Sequence, residues 1–223
     1  MRSRRGVFIT FEGLDGSGKS TQIERLAATL SGRGLDVLAT REPGGSEIGE
    51  RIRSILLDSR TANLSPLAEL ALMFADRAQH IEEVIEPALK NGKVVICDRY
   101  TDSTEAYQGF GRHLGSEVVR DLHHLLCRDL CPDLTLLLES ELDASVARAR
   151  NRNQTSHSSE GRFEAEDAAF FRRVHEGFEK IARRDANRVT KIPPGTIQKV
   201  EAEILRMVEG RFPELAARAT AVK

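Results

Sequence analysis

No other feature constrains the fold of this chain as strongly as the stretch from Val7 to Ser20, which reads VFITFEGLDGSGKS. Its first six residues are largely apolar and rich in β-branched and aromatic side chains, which predicts a short strand buried on both faces. Glycines then interrupt the pattern, and four residues separate Gly13 from the triplet Gly18-Lys19-Ser20. A helical pattern follows at once. A strand, a glycine-rich turn and a helix in this order predict the start of an α/β unit.

The spacing of this turn is that of a phosphate-binding P-loop. Glycines leave backbone N–H groups uncovered, so that a polyphosphate can approach them, and the helix that begins near Lys19 adds the positive end of its dipole. We expect Lys19 to reach the β- and γ-phosphate oxygens and the Ser20 hydroxyl to hold Mg²⁺. The alternative is an accidental glycine-rich turn, and the strand before it and the helix after it argue against that alternative.

Composition excludes several classes of protein. The 223 residues carry a formal net charge of −1, with a pI near 6.6, so the molecule as a whole offers no electrostatic footprint for nucleic acid. The longest apolar runs, such as Val94 to Cys97, have the length of strands, which predicts no membrane span. The basic Met1 to Arg5 leads into a strand without the apolar segment of a secretion signal. The 3 cysteines fit no disulfide framework. We therefore expect a cytoplasmic protein.

Predicted strands and helices alternate along the chain, which indicates an α/β fold with a parallel sheet and helices on both faces. The patterns predict strands at 7–12, 36–40, 93–97, 134–139 and 188–192 and helices at 46–57, 65–89, 118–126 and 196–208, besides one of about 15 residues after the P-loop. A polar stretch at 151–161 predicts a mobile loop that could close as a lid, and a helix with several phenylalanines follows it. We expect one domain over 1–223, with a core at 7–192, a lid at about 150–163 and a C-terminal helix at about 196–212.

Charged residues follow two of the predicted strands. Arg41-Glu42-Pro43-Gly44-Gly45 comes after the second strand, and Asp98-Arg99-Tyr100 comes after the third. Open α/β sheets bind ligands at the carboxyl ends of their strands, so these groups are expected in one crevice with the P-loop. Asp98 is in the position of a Walker B residue that meets Mg²⁺ through water. The alternatives are a plain turn for the first group and a helix cap with a surface arginine for the second.

Two further segments are candidates for the same crevice. Phe74 and Arg77 are three residues apart on a predicted helix and share a face, although a core phenylalanine and a solvated arginine would give the same pattern. The segment 103–112, STEAYQGFGR, is small, polar and aromatic and follows Arg99 closely. It could line a nucleotide pocket or form only a cap and a glycine-rich loop.

Together, these segments resemble bacterial thymidylate kinases, which belong to the P-loop nucleoside monophosphate kinases. The resemblance is carried by VFITFEGLDGSGKS, TREPGG, LMFADRAQH, VVICDRYTDSTEAYQG, PDLTLLLE and GRFE, in the family's order from about Val7 to Ile192. It implies a five-stranded parallel sheet with a lid, and transfer of the γ-phosphoryl group of ATP to dTMP, which gives dTDP, with Mg²⁺. It also implies a homodimer.

The resemblance assigns roles to individual residues. It implies an ATP site made of Gly13, Leu14, Asp15, Gly16, Ser17, Gly18, Lys19, Ser20 and Thr21. It implies a dTMP site made of Glu42, Pro43, Arg53, Phe74, Arg77, Arg99, Ser103, Thr104, Tyr107 and Gln108. Phe74 would stack on thymine, and Tyr107 would lie beneath the deoxyribose. The implied catalytic residues are Lys19, Arg99, Asp15, Arg150, Arg152 and Arg162, and the implied metal ligands are Ser20 and Asp98.

The P-loop has Asp15 and Gly16 where eukaryotic-type relatives place an arginine, so the resemblance implies that a lid arginine supplies the missing charge. The sequence leaves two other functions open. One is a kinase for a different nucleotide or nucleoside, which would share the P-loop and the Asp-Arg element. The other is an ATP-binding regulatory module without turnover, in which the candidate acceptor residues would have no purpose.

Overall fold

The chain is described by a computed structural model that covers residues 5–61, 63–142, 147, 161–163 and 165–216. Its strands form one parallel sheet in the order β2-β3-β1-β4-β5. The strands are β1 Val7–Glu12, β2 Val37–Arg41, β3 Val94–Asp98, β4 Leu134–Leu138 and β5 Val189–Ile192. At the centre, Ile9 of β1 lies opposite Ile96 on one side and Leu134 on the other. The predicted α/β fold with five parallel strands is confirmed.

The helices are α1 Lys19–Gly32, α2 Glu47–Leu57, α3 Pro66–His80, α4 Glu86–Lys90, α5 Thr101–Thr104, α6 Ser116–Cys127, α7 Ala168–Arg184, α8 Ile197–Arg211 and α9 Pro213–Ala216. A π-helical segment, Ile81–Ile85, joins α3 to α4, and a second one, Glu105–Gly111, continues α5. The sequence predicted one long helix for the first of these regions but did not predict the helical state of the second. No helix in the described ranges is long and apolar enough to cross a membrane, and the cytoplasmic location stays a prediction.

Capping side chains begin several of these helices. The Ser46 hydroxyl accepts a hydrogen bond from the N–H of Gly49 in α2, and the Ser65 hydroxyl accepts one from Ala68 in α3. Helix α1 is different, because it follows Gly18, which has a φ of 96° and no side chain to cap the helix. The N-terminus of α1 therefore faces the P-loop with no protein side chain in the capping position.

The two faces of the sheet are covered by different helices. Ile9 and Phe11 of β1 pack with α1 and α8 on one face. Phe8 packs with α3 and α4 on the other. All three side chains are fully buried, as predicted for a strand covered on both sides. The alternation leaves Glu12, at the end of β1, on the same side as Phe8 and next to α5.

A third cluster connects α7 to the π-helical segment after α5. The rings of Phe170 and Phe178 meet the ring of Tyr107 edge to face, with centroids 6.0 and 6.3 Å away. The predicted phenylalanine-rich helix thus packs behind a predicted ligand residue and fixes its ring. Most of the predicted lid at 150–163, including Arg150 and Arg152, lies outside the described residues.

Candidate active site

A cavity of about 800 Å³ opens at the carboxyl ends of β1, β2 and β3, where the sequence predicted a crevice. The predicted site residues that line it are Asp15, Gly16, Gly18, Lys19, Ser20, Thr21, Glu42, Pro43, Arg53, Arg77, Asp98, Arg99, Ser103, Thr104, Tyr107 and Gln108. Gly13, Leu14 and Ser17 belong to the same loop but lie deeper, against β4 or the loop itself. The cavity brings together groups from six separate stretches of the chain, since Phe163 also lines it.

Two glycines in the P-loop are required for different reasons. Gly13 has a φ of 129°, and a Cβ there would lie 2.6 Å from the carbonyl oxygen of Leu138, so packing against β4 demands glycine. Gly18 has a φ of 96°, and a Cβ there would meet no protein atom within 4 Å. The space around Gly18 is therefore open toward the cavity and the start of α1.

Lys19 is buried at the base of the loop. Its Nζ donates hydrogen bonds to the carbonyl oxygens of Gly13 and Leu14, both at 3.0 Å. Burial, together with the nearby charge of Arg99, lowers the pKa of Lys19 below its ordinary value. Its partners are two neutral carbonyls, so an anionic oxygen in the loop would be a stronger partner for the ammonium group.

Arg99 bridges the P-loop and the segment after β3. It has a φ of 68°, in the left-handed region that non-glycine residues seldom adopt. Its guanidinium donates to Asp15 Oδ1 at 2.7 Å and to Ser103 Oγ at 2.8 Å, and lies 5.1 Å from the centre of the Tyr107 ring. Burial acts to lower the pKa of Arg99, but Asp15 and other acidic neighbours outweigh it and raise the pKa above its ordinary value. Arg99 therefore stays cationic.

Glu12 holds the segment that contains Arg99, Tyr100 and Ser103 in place through hydrogen bonds, a role that the sequence analysis missed. Its buried carboxyl group accepts hydrogen bonds from the N–H of Tyr100 at 2.8 Å and from the hydroxyl of Ser103. Burial and the nearby Asp102 raise the pKa of Glu12 to about 8. Since Ser103 is itself bonded to Arg99, Glu12 fixes the position of the arginine through one hydroxyl group.

Arg77 is held by a second buried carboxylate. Its Nε donates to Glu42 Oε2 at 2.7 Å, and one terminal nitrogen, Nη2, donates to Thr104 Oγ1 at 2.8 Å. His80 Nδ1 lies 3.0 Å from the other oxygen of Glu42. Burial acts to raise the pKa of Glu42, but Arg77 and His80 outweigh it and lower that pKa. The remaining Arg77 nitrogen, Nη1, is buried without a hydrogen-bond partner among the described residues.

Phe74 does not occupy the position that was predicted for it. Its side chain is 0% exposed in the core between α3 and the sheet, and the Arg77 guanidinium lies 5.0 Å from its ring centre. Met73 lines the cavity instead. Residues four apart on a helix share a face, so Met73 accompanies Arg77, whereas Phe74 is turned by about 100° toward the sheet. The prediction that Phe74 stacks on a ligand base does not fit this arrangement.

A third buried carboxylate, Glu69, lies beside Gln108. The Nε2 of Gln108 donates to Glu69 Oε1 at 2.7 Å, and Arg162 donates to Glu69 Oε2 at 2.7 Å. Arg162 also donates to the carbonyl oxygen of Leu56 at 2.6 Å. Two nitrogens of the Arg162 guanidinium are therefore engaged, the third, Nη2, is buried without a partner among the described residues, and Arg162 does not line the cavity. This position does not support the catalytic role that the resemblance implies for Arg162.

The cavity also contains residues that the sequence analysis did not single out as ligand residues. These are Arg41, Leu57, Met73, Asp76, Tyr100 and Phe163. Met73 could have been found from its spacing of four residues to Arg77. Asp76 Oδ1 accepts a hydrogen bond from the Gly44 N–H at 2.9 Å, and burial, together with Glu42, raises the pKa of Asp76 to about 7. No pattern in the sequence indicates that contact, because the two residues lie on separate elements.

Comparisons with known proteins show which family this chain resembles. A family model described as Thymidylate kinase matches residues 11–204. The thymidylate kinase of Trichlorobacter lovleyi is 47% identical over 196 residues, which cover 87% of this chain and 92% of that protein. The thymidylate kinase of Desulfovibrio desulfuricans is 50% identical over 184 residues, covering 82% and 85%. The crystal structure of thymidylate kinase from Ehrlichia chaffeensis superposes with a TM-score of 0.74 and 34% identity, covering 92% of this chain and 99% of that one.

Proposed function

The chain belongs to the thymidylate kinase family, which phosphorylates dTMP to dTDP, and we propose that its cavity holds ATP and dTMP with their phosphates facing each other. The triphosphate of ATP lies in the P-loop, and dTMP lies between α3 and the segment after β3. The observation that carries this assignment is a pair of buried, unpartnered polar atoms in the cavity. They are Arg77 Nη1, a donor, and Gln108 Oε1, an acceptor, neither of which has a partner among the described residues.

This pair matches the edge of thymine. The O4 of thymine accepts a hydrogen bond, and the neighbouring N3–H donates one, so the base supplies what Arg77 and Gln108 lack. Met73 and Phe163 offer apolar surface in the same cavity for the faces of the ring. Tyr107 then lies beside the sugar, in contact with Arg99.

The donor half uses backbone groups and one lysine. The open N-terminus of α1 and the N–H groups of the loop hold the β-phosphate, and Lys19 exchanges its two carbonyl partners for phosphate oxygens. Mg²⁺ fits the same corner, since Asp98 Oδ1 is buried without a partner among the described residues and Ser20 lines the same cavity. When bound, the ion would offset phosphate charge.

The reaction needs positioning more than a strong base. A nucleoside monophosphate has a second pKa near 6 and is mostly dianionic at neutral pH, so its oxygen is already a nucleophile. The difficulty lies in bringing two polyanions into line. Arg99 stands between the P-loop and Ser103 and stays cationic, so it stabilises the charge on the transferred group.

An acceptor panel tests the proposal. Purified protein with ATP and Mg²⁺ is assayed for ADP release with dTMP, dUMP, dCMP, dGMP and AMP in turn. We expect the highest kcat/KM with dTMP and only weak turnover with dCMP. A preference for another monophosphate would contradict the base assignment. Nucleotide binding without acceptor-dependent ADP release would support the regulatory module instead.

We also propose that the chain forms a homodimer through the outer faces of α2, α3 and α6. Helix α3 packs against both α2 and α6, and each helix exposes an apolar side chain. Ile55 is 47% exposed, Leu67 is 65% exposed and Leu125 is 71% exposed. Sedimentation velocity should show a dimer that Leu125→Glu weakens. Ile197→Glu, on the outside of α8, is the matched control and should leave the dimer intact; a monomeric wild type would contradict the proposal.

A further inference from the structure

We propose that Glu69 is a positioning residue for base selection, because it fixes the side-chain amide of Gln108 with Oε1 directed at the acceptor base. This inference rests on the acceptor site proposed above. It concerns how Gln108 is kept in one orientation. Glu69 touches neither nucleotide in that arrangement and acts only through Gln108.

Glu69 is a buried carboxylate with a complete set of donors. Its side chain is 0% exposed, and it accepts from Gln108 Nε2 at 2.7 Å and from Arg162 at 2.7 Å. A terminal nitrogen of Arg112 lies 3.2 Å from Glu69 Oε2. A carboxylate held by two guanidinium groups only accepts hydrogen bonds. The group that Gln108 presents to Glu69 must therefore be its NH₂.

The hydrogen bond to Glu69 determines which end of the Gln108 amide faces a ligand. The two ends of an amide have nearly the same shape, so rotation by 180° would exchange oxygen and nitrogen at little steric cost. With Nε2 on Glu69, Oε1 is left buried in the cavity wall without a partner among the described residues. The side chain of Gln108 is 1% exposed, so water does not supply an easy substitute partner.

The resulting pattern distinguishes pyrimidines. An acceptor at Gln108 and a donor at Arg77 in the same cavity suit a base with an N3–H next to a C4 carbonyl, as in thymine and uracil. Cytosine has the opposite pattern, because its N3 accepts and its 4-amino group donates. A reversed amide at Gln108 would remove one of the two hydrogen bonds that distinguish thymine from cytosine. Glu69 thus determines how strongly dTMP is preferred over dCMP.

The test compares kcat/KM for dTMP and dCMP in Glu69→Gln, whose side chain has the same shape but can both donate and accept. We expect the dTMP to dCMP ratio to fall about tenfold or more, because the amide of Gln108 is no longer held in one orientation. Glu166→Gln is the matched control. Glu166 is also a carboxylate partner of Arg112, at 2.6 Å, and its loss should leave the ratio unchanged.

A double-mutant cycle separates positioning from simple support of the fold. In a Gln108→Met background there is no amide to orient, so adding Glu69→Gln should not change the ratio further. An equal loss of kcat/KM for dTMP and dCMP in Glu69→Gln would overturn the proposal. A wild type without preference for dTMP would instead contradict the proposed function, so the two failures are distinguishable.

A measurement on the wild type keeps the proposal testable if Glu69→Gln does not fold. With dTMP bound, NMR should detect a coupling across the hydrogen bond between Gln108 Nε2 and the carboxylate carbon of Glu69. Gln108 amide protons found on the base rather than on Glu69 would overturn the proposal.

Discussion

The donor half and the acceptor half of the cavity are built in different ways. The donor half comes from one continuous stretch and works through glycines, backbone N–H groups and Lys19. The acceptor half is assembled from separate elements, and buried glutamates hold its working side chains. Glu12 holds Ser103 and thereby Arg99, Glu42 holds Arg77, and Glu69 holds Gln108. In the proposed function, phosphate is recognised by a local motif, whereas the acceptor is recognised by side chains whose positions depend on distant buried glutamates.

The largest effect is expected where the two halves meet. Arg99→Ala should lower kcat by on the order of 10³-fold, because it removes the cation that bridges the P-loop and the acceptor. Steady-state kinetics measure the loss, and circular dichroism checks the fold. Arg51→Ala, an exposed arginine on α2, is the control. Turnover of Arg99→Ala close to that of the wild type would remove Arg99 from the mechanism.

The next prediction compares how much a substitution in each half lowers the free energy of unfolding. Arg77→Met should lower the free energy of unfolding by about 3 kcal/mol, since it leaves the buried Glu42 without its arginine. Lys19→Met should abolish most phosphoryl transfer yet cost less than about 1 kcal/mol, because the charge of Lys19 is already disfavoured by burial. Urea unfolding measures both variants. Equal destabilisation by the two would erase the distinction between the halves.

The last effect is a gradual change in how stability depends on pH. The pKa of Glu12 is about 8 in the folded protein against an ordinary 4.5, so the folded protein keeps a proton that the unfolded chain loses. Its contribution to stability is present below pH 4.5 and is lost as pH rises toward 8. Glu12→Gln should therefore flatten the decline in unfolding free energy between pH 5 and 8, by up to about 1 kcal/mol per pH unit.

Glu47→Gln, an exposed glutamate on α2, is the control for this measurement and should keep the wild-type slope. Urea unfolding at a series of pH values gives the comparison. Parallel curves for the wild type and Glu12→Gln would mean that Glu12 is already ionised in the folded protein across this range. The acceptor half would then be held by a permanent charge at Glu12.

The fold and the donor half were predictable because their signals are local. Strand, turn and helix patterns reach from one residue to its neighbours, and the P-loop places its chemistry within a single turn. The predicted strand at 93–97 is Val94–Asp98 in the structure, a shift of one residue that leaves Asp98 at the same end of the sheet. The family resemblance also named most of the residues that line the acceptor side of the cavity, and their roles stay predictions.

The acceptor half was predictable only in part, because its contacts are not local. Phe74 was assigned by a spacing of three residues, but the core takes the larger ring and the cavity receives Met73. Arg162 was named among the implied catalytic residues, yet its partner Glu69 lies 93 residues away. No pattern in one sequence reveals which distant carboxylate will neutralise a given arginine.

Helix α1 follows a glycine and has no capping side chain, and this feature has a consequence for the whole molecule. In the proposed complex, a phosphate group would complete the first turn, so the substrate would finish an element of secondary structure that the chain leaves open. Nucleotide binding and the folding of the first turn of α1 are then coupled. Amide hydrogens at the start of α1 should exchange more slowly with deuterium when ATP is present, and the melting temperature should climb with nucleotide concentration.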